Sequence, residues 1–483
     1  MKKNVVLFLL GRMALLNGLA LLIPLLYVLW SGEPGWHWFG SAAVSAIGAG
    51  LVLIYAGRQR YHRLDVVEGA WYLVLLWGLL CVIGMIPYAA SGRYSLTDAF
   101  FESAAAYTTT GISSLSPLAP ALPASLLVWH SFMEWLGGLN FILLLVTIIP
   151  QVSGCFGLTL SAHQRVRFSP VIGRMEGAAW KTGKIYIAIT ILSVMAYSLA
   201  GLAPLDAWLK ACMTVSTSGG DRAFDFIRYE NPALEAAGAV SMILASGNFL
   251  LYWKCLERKQ VRDLVSDMEL RVFFALLAGA GLLVSFHLWR MGIYDWVHSL
   301  RFGFFQVLSF SSTSGFFSAD AARWPEFDQF ILFILVFLGG CIGSATGGLR
   351  IMRGIVLFKI AKQEMRRTLH PHMVIRVKID GMPVEMKIIS RVLSYFFLFM
   401  AVFFVSSVII SLTGVTPLQA MGISIGCLSS AGGTIPLFGI TDISLLPAWA
   451  KWYCSLLMIL GRIEIFSLFI VLQTTVQYIR RRW

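Results

Sequence analysis

Three short stretches of this chain carry a hydroxyl–x–glycine pattern: Thr109-Thr110-Gly111, Thr217-Ser218-Gly219 and Thr313-Ser314-Gly315. A fourth, Ser430-Ala431-Gly432, keeps the glycine with a serine two residues before it. Backbone carbonyls in such a loop can replace the hydration shell of a bare monovalent cation. Glycine permits the positive φ that turns carbonyls toward an axis, and the hydroxyls can satisfy freed backbone groups. One triplet alone says little, because Ser, Thr and Gly also serve membrane helices as packing residues. The spacing says more. Asp98, Asp206, Phe302 and Gln419 each lie 13 residues before the glycine of their loop, and the glycines are 108, 96 and 117 residues apart. That is an internal repeat of about 100 residues, present four times.

The elements that must position these loops are short. Each glycine ends a half-length apolar stretch, such as LTDAFFESAAAYTTTGIS from Leu96. About 12 residues make a helix near 18 Å long, which reaches only partway through a bilayer. Non-helical backbone at that depth is tolerated where it is buried or lines water. The partly negative C-terminal ends of four such helices would favour a cation between them. The surrounding sequence agrees: 58% of 483 residues are hydrophobic and 13% are charged, against about 25% in a soluble protein. Ten membrane helices are expected, at 5–30, 36–57, 69–90, 122–150, 181–201, 233–254, 271–289, 328–358, 388–412 and 447–478. The N-terminal apolar run reads as the first of them and not as a signal peptide. The fold class is therefore an all-α polytopic membrane protein. Residues 1–63 form an N-terminal helix pair, and 64–165, 166–262, 263–375 and 376–483 form four repeats.

Basic residues fall on alternate connections: Arg58, Arg60 and Arg63; Arg165, Arg167, Arg174, Lys181 and Lys184; Lys254, Arg258, Lys259 and Arg262; the 359–387 segment; and Arg480–Arg482. The positive-inside rule places these connections and both termini in the cytoplasm, with the four loops outside. The net charge of +13 then belongs to a membrane surface and not to nucleic acid. The seven cysteines are scattered, without a CxxC pair, and imply neither a disulfide framework nor a transition-metal site. Two further elements lie below the loops. The run 339–349 breaks the eighth helix and is either a glycine-packed kink or a movable plug. Arg462 lies inside the last apolar run, where it either pairs with Glu464, snorkels to the surface, or faces the bundle interior or water. Glu134, also embedded, is either a helix-packing residue, a partner for an internal cation, or a pore residue. No paired carboxylates at one depth, HExxH or Ser/His/Asp set is apparent, which sets an enzyme aside. A carrier with repeat-related broken helices is disfavoured because the repeat is fourfold and parallel.

With these residues in view, the chain resembles the Trk/Ktr/HKT superfamily of potassium transporters. The resemblance spans nearly the whole chain. Glu134-Trp135-Leu136-Gly137-Gly138 is similar to the family's W-[IL]-G-G stretch, and Gly339–Arg350 to its Gly-rich intramembrane loop. The additional N-terminal helix pair resembles the TrkH/TrkG branch. The resemblance implies four M1–P–M2 units around one pore. It implies a potassium filter made by Thr109, Thr110, Gly111, Thr217, Ser218, Gly219, Thr313, Ser314, Gly315, Ser430, Ala431 and Gly432. It also implies a gate loop with Gly340, Gly343, Ser344, Thr346 and Gly347, and a pore barrier at Arg462. The fourth loop, Ser429-Ser430-Ala431-Gly432-Gly433, departs from the family's Asn residues and Gly-Pro-Gly, so selectivity should rest mainly on the first three quadrants. Potassium is the implied substrate, with no cofactor bound by this chain. The implied setting is the bacterial inner membrane. The implied partners are a second copy of the chain and a cytosolic nucleotide-binding regulatory subunit (TrkA-like), since no GxGxxG unit follows a strand here.

Overall fold

The computed structural model describes residues 3–57, 64–114, 122–147, 172–219, 225–369, 377–379, 382–440, 442–463 and 465–480. Helices α1 (Lys3–Ala20) and α2 (Leu22–Ser31) form one span, and α3 (Trp36–Ala56) returns beside it. Small residues let these two spans touch. A Cβ on Gly11 would lie 2.7 Å from the Gly50 carbonyl, and one on Gly50 would lie 2.9 Å from that of Gly11. Tyr107 Oη donates to Asn17 Oδ1 at 2.9 Å, fastening this pair to the rest of the fold.

The first repeat follows as α4 (Val66–Ala90), α5 (Leu96–Tyr107) and α6 (Ala124–Thr147). The second comprises α7 (Ile172–Leu199), α8 (Pro204–Val215), α9 (Pro232–Ser246), α10 (Phe249–Arg258) and the short α11 (Arg262–Ser266). The third comprises α12 (Met268–Arg290), α13 (Trp296–Ser311), α14 (Glu326–Leu338) and α15 (Ile351–Leu369). An antiparallel pair, β1 (Lys378–Ile379) and β2 (Met382–Pro383), precedes α16 (Met386–Ser411), α17 (Pro417–Leu428), α18 (Thr434–Leu437), α19 (Ala448–Ile463) and α20 (Ile465–Arg480).

Local sequence sets where the short helices start. Ser95 Oγ accepts from Asp98 N at 3.1 Å to open α5. Thr416 and Gln419 make a reciprocal capping box at α17. Pro204 and Pro417 occupy first-turn positions, where a missing N–H costs nothing. The third short helix begins at Trp296. Asp295 holds the N-cap position there, and its bond to His298 keeps the Asp295 carboxyl below its ordinary range.

Among the described residues, seven helices are long and apolar enough to cross a membrane, or nine if each of two bent pairs is one span. The expected eighth span, 328–358, is α14 and α15 separated by the 339–350 loop. The expected straight helix at 233–254 is corrected: α9 and α10 meet at 91°. Asn248 causes the break, because its Oδ1 accepts from Leu250 N (3.1 Å) and Leu251 N (3.2 Å) and starts a new helix. Large side chains such as Leu26, Val44, Tyr55 and Leu199 are exposed, as a hydrocarbon-facing surface requires. Arg58, Arg60, Arg63, Arg165, Arg167, Cys155 and Glu464 lie outside the described residues.

Candidate functional site: a ring of four loops

The short helices α5, α8, α13 and α17 end in the same turn. A fourth-neighbour bond closes each: Thr108 N to Ala104 O, Ser216 N to Cys212 O, Ser312 N to Leu308 O and Ser429 N to Ile425 O, at 2.7–3.2 Å. A fifth-neighbour bond then folds the chain inward: Thr110 N to Ala105 O, Ser218 N to Met213 O, Ser314 N to Ser309 O and Ala431 N to Gly426 O, at 2.8–2.9 Å. The residue between takes a left-handed conformation in all four: Thr109 (φ 51), Thr217 (φ 57), Thr313 (φ 55) and Ser430 (φ 52). Such a conformation costs a non-glycine residue about 1–2 kcal/mol, so the surrounding bonds must impose it. This corrects the sequence expectation for glycine. Gly111 and Gly315 have positive φ, but Gly219 and Gly432 do not.

What the glycines share is closeness. A Cβ on Gly111 would lie 2.8 Å from Gly219 N, and one on Gly315 would lie 2.7 Å from Gly433 N. One on Gly219 would overlap the Ser314 carbonyl. Gly432 N donates to Thr110 O at 3.0 Å. The first loop therefore meets the second, the second the third, the third the fourth, and the fourth the first, which closes a ring. All twelve triplet residues from the sequence come together in it.

The backs of the loops differ. Nine residues before each ring glycine stand Glu102, Lys210, Gln306 and Ile423, all buried. Glu102 Oε1 accepts from Ser114 N (2.5 Å), Ser113 Oγ (2.8 Å) and Ser114 Oγ (3.1 Å). Lys210 Nζ sits 3.8 Å from the centre of the Phe226 ring, with Asp225 as a charged neighbour. Gln306 Nε2 donates to Ala319 O at 3.1 Å. Ile423 is apolar, and there Thr434 Oγ1 ties the loop by donating to Gly422 O and Ala431 O. Asp225 Oδ1 also accepts from Phe317 N, so the second repeat supports the third loop.

Beneath the ring lies the 339–350 loop. Gly347 N donates to Thr313 Oγ1 at 3.0 Å, and a Cβ on Gly347 would overlap the Ser429 carbonyl. Cys341 N donates to Ser246 O (2.9 Å), Phe249 N to Gly343 O (3.3 Å) and Ile342 N to Glu269 Oε1 (2.8 Å). The loop thus rests on the α9–α10 break and on the start of α12. A side chain on Gly340 would press on Thr346, and Gly343 has φ 86. Ser344 and Thr346 hydrogen-bond each other at 2.7 Å and turn their hydroxyls into the loop itself. Arg462 is wholly buried. Its Nε donates to Thr108 O (2.7 Å), its Nη1 to Ala345 O (2.8 Å) and its Nη2 to Thr109 Oγ1. Snorkelling to the surface is thereby overturned; Arg462 bridges the ring and the loop below.

Sequence reasoning missed one cluster. It saw no paired carboxylates at one depth, yet Glu102 and Glu134 flank His130, at 3.7 and 3.4 Å. Glu134 Oε1 accepts from Ser218 Oγ at 2.6 Å. The repeat alignment held the signal, because it places Glu102 in register with Lys210 and Gln306.

The fold is that of a polytopic helical membrane protein in which four helix–loop units close one ring. Residues 49–477 match the family model TrkH, a cation transport protein, and the chain belongs to that family. It is 29% identical to the "Trk system potassium uptake protein TrkH" of Halomonas elongata, covering 98% of both chains. It is 30% identical to the "Trk system potassium uptake protein TrkG" of Escherichia coli, covering 95% of this chain and 96% of that one. The crystal structure of the potassium transporter TrkH from Vibrio parahaemolyticus superposes with a TM-score of 0.89 at 27% identity, covering 98% of this chain and 99% of that one.

Proposed function

We propose that this protein takes up potassium through a channel-like pore whose selectivity filter is the ring of Thr109–Gly111, Thr217–Gly219, Thr313–Gly315 and Ser430–Gly432. The observation that carries this reading is the left-handed residue at the same place in four loops that touch in a closed circle. A strained turn held by repeated hydrogen bonds is a device for aiming carbonyls, and aimed carbonyls replace the water around a monovalent cation. The short helices add their negative ends. The 339–350 loop is the gate, with Arg462 as a fixed positive barrier that clasps it to the ring. The relatives' names supply potassium as the cargo and uptake as the direction.

The setting is the bacterial inner membrane, with both termini and the basic connections in the cytoplasm. The protein acts as a homodimer under a separate nucleotide-binding regulatory subunit that docks on the basic cytoplasmic face. The test is rubidium influx in cells that lack potassium uptake. Gly219→Ser and Gly315→Ser should each lower potassium affinity and the preference for potassium over sodium; unchanged values in both would overturn the filter assignment.

A further inference from the structure

The middle residues of the four triplets are Thr110, Ser218, Ser314 and Ala431, and three of them have a hydroxyl. Two of those hydroxyls bond within their own loop: Thr110 Oγ1 with Thr108 Oγ1 at 2.9 Å, and Ser314 Oγ with Ser312 Oγ at 3.0 Å. Ser218 does not follow them. Its local counterpart, Ser216, turns back to donate to Cys212 O and Met213 O. Ser218 Oγ instead leaves the loop and donates to Glu134 Oε1 on α6, which belongs to the first repeat. Glu134 is buried, and His130 lies one turn before it on the same helix. His130 faces Glu102, which holds the exit of the first loop through Ser113 and Ser114. Tyr88 Oη, from α4, contacts His130 Nδ1 at 3.2 Å. A buried carboxylate–imidazole–carboxylate chain therefore runs behind the ring from the first loop to the second.

We infer that Glu134, set in place by His130 and Glu102, is a specificity-determining positioning residue that fixes the second filter loop against the first through the Ser218 hydroxyl. This rests on the filter reading. The physical reason is local. A hydrogen bond to a buried carboxylate is stronger and shorter than a neutral one. It restrains the Ser218 peptide from the side away from the ion. A loop that cannot relax holds its carbonyls at the spacing of a larger cation and cannot close on a smaller one. The first and third loops hold their middle hydroxyls by neutral contacts and the fourth has an alanine there, so the restraint is particular to the second quadrant.

The experiment measures rubidium and sodium uptake in potassium-uptake-deficient cells for Ser218→Ala, Glu134→Leu, their double variant and Glu134→Gln, with Gly219→Ser beside them. Ser218→Ala and Glu134→Leu should each reduce the potassium-over-sodium ratio by about fivefold or more, since a hydrogen bond to a charged group is lost. The double variant should be no worse than either single one. Glu134→Gln keeps an acceptor and should recover most of the ratio. Ratios that multiply in the double variant overturn the coupling. A wild-type ratio in Ser218→Ala, which removes one hydroxyl and leaves the helix packing alone, overturns it even if Glu134→Leu fails to assemble. If Gly219→Ser shifts the ratio while Ser218→Ala does not, this inference fails and the filter reading stands. If neither these variants nor Gly315→Ser shifts it, the filter reading fails as well.

Discussion

In the first quadrant Glu102 reaches from α5 to three donors on the far side of its loop, while in the fourth Ile423 holds the same position on α17 and makes no polar contact. The two turns are otherwise alike. Thr109 and Ser430 have φ values of 51 and 52, and the same fifth-neighbour bond closes both. The difference teaches that the turn and its support are separately encoded. Helix ends and close glycine packing make the turn. Side chains behind it decide how firmly it is held, and against which neighbour. The fourth loop is braced from within by Thr434, and the first is braced by its own exit strand and by Arg462 below.

Substitutions that treat the two quadrants alike are the way to break this contrast. Glu102→Ala strands Ser114 N and Ser114 Oγ in a buried site, and each such group costs about 1–3 kcal/mol. Sodium uptake relative to rubidium should rise by roughly tenfold or more; an unchanged ratio would remove the first quadrant's special status. Arg462→Gln cuts the clasp beneath the same quadrant and removes a full positive charge. Rubidium influx through this chain expressed alone should then rise about tenfold, from the barrier a charge presents at several ångströms in protein. A fall in influx with normal membrane levels would mark Arg462 as a structural strut instead. Ile423→Ala should behave differently in kind. It should lower thermal stability in detergent by about 2–5 kcal/mol through the cavity it leaves, with the ion ratio unmoved. The smallest effect belongs to Ser430→Gly, where relief of the left-handed strain and the added chain freedom nearly cancel, within about 1 kcal/mol. Thr109→Gly at the matching position should cost more, because it also removes the acceptor for Arg462.

Much of this was legible from residues alone. The 13-residue spacing located all four loops, and the glycine run at 339–349 located the break above α15. Linear patterns record such features because each lies within one stretch of chain. The support behind the ring was not legible in that way. Glu102 and Ser114 are close in sequence, but Glu134 and Ser218 are 84 residues apart and meet only when α6 packs on α8. The right angle at Asn248 was hidden because an Asn within an apolar run reads as a tolerated polar residue until its side chain is seen capping the next helix. The positive φ at Thr109, Thr217, Thr313 and Ser430 was hidden for the opposite reason. Propensity assigns that conformation to the glycine two residues on, which adopts it at 111 and 315, while the fifth-neighbour bonds impose it on the hydroxyl residue of every loop.

At two points the long helices touch the ring through bare backbone. A Cβ on Gly137 of α6 would overlap the Tyr107 carbonyl, and one on Gly461 of α19 would overlap that of Leu428. These are the last carbonyls of the first and fourth short helices, so the seam has no side chain that could give way. A single methyl group there would act as a shim. Placed at residue 137 it would raise one quarter of the ring relative to the other three, and placed at residue 461 it would raise the opposite end of the chain's circuit. The alignment of four unequal quarters is thus set by the thickness of two missing atoms, and the height of the ring is machined by the helices outside it.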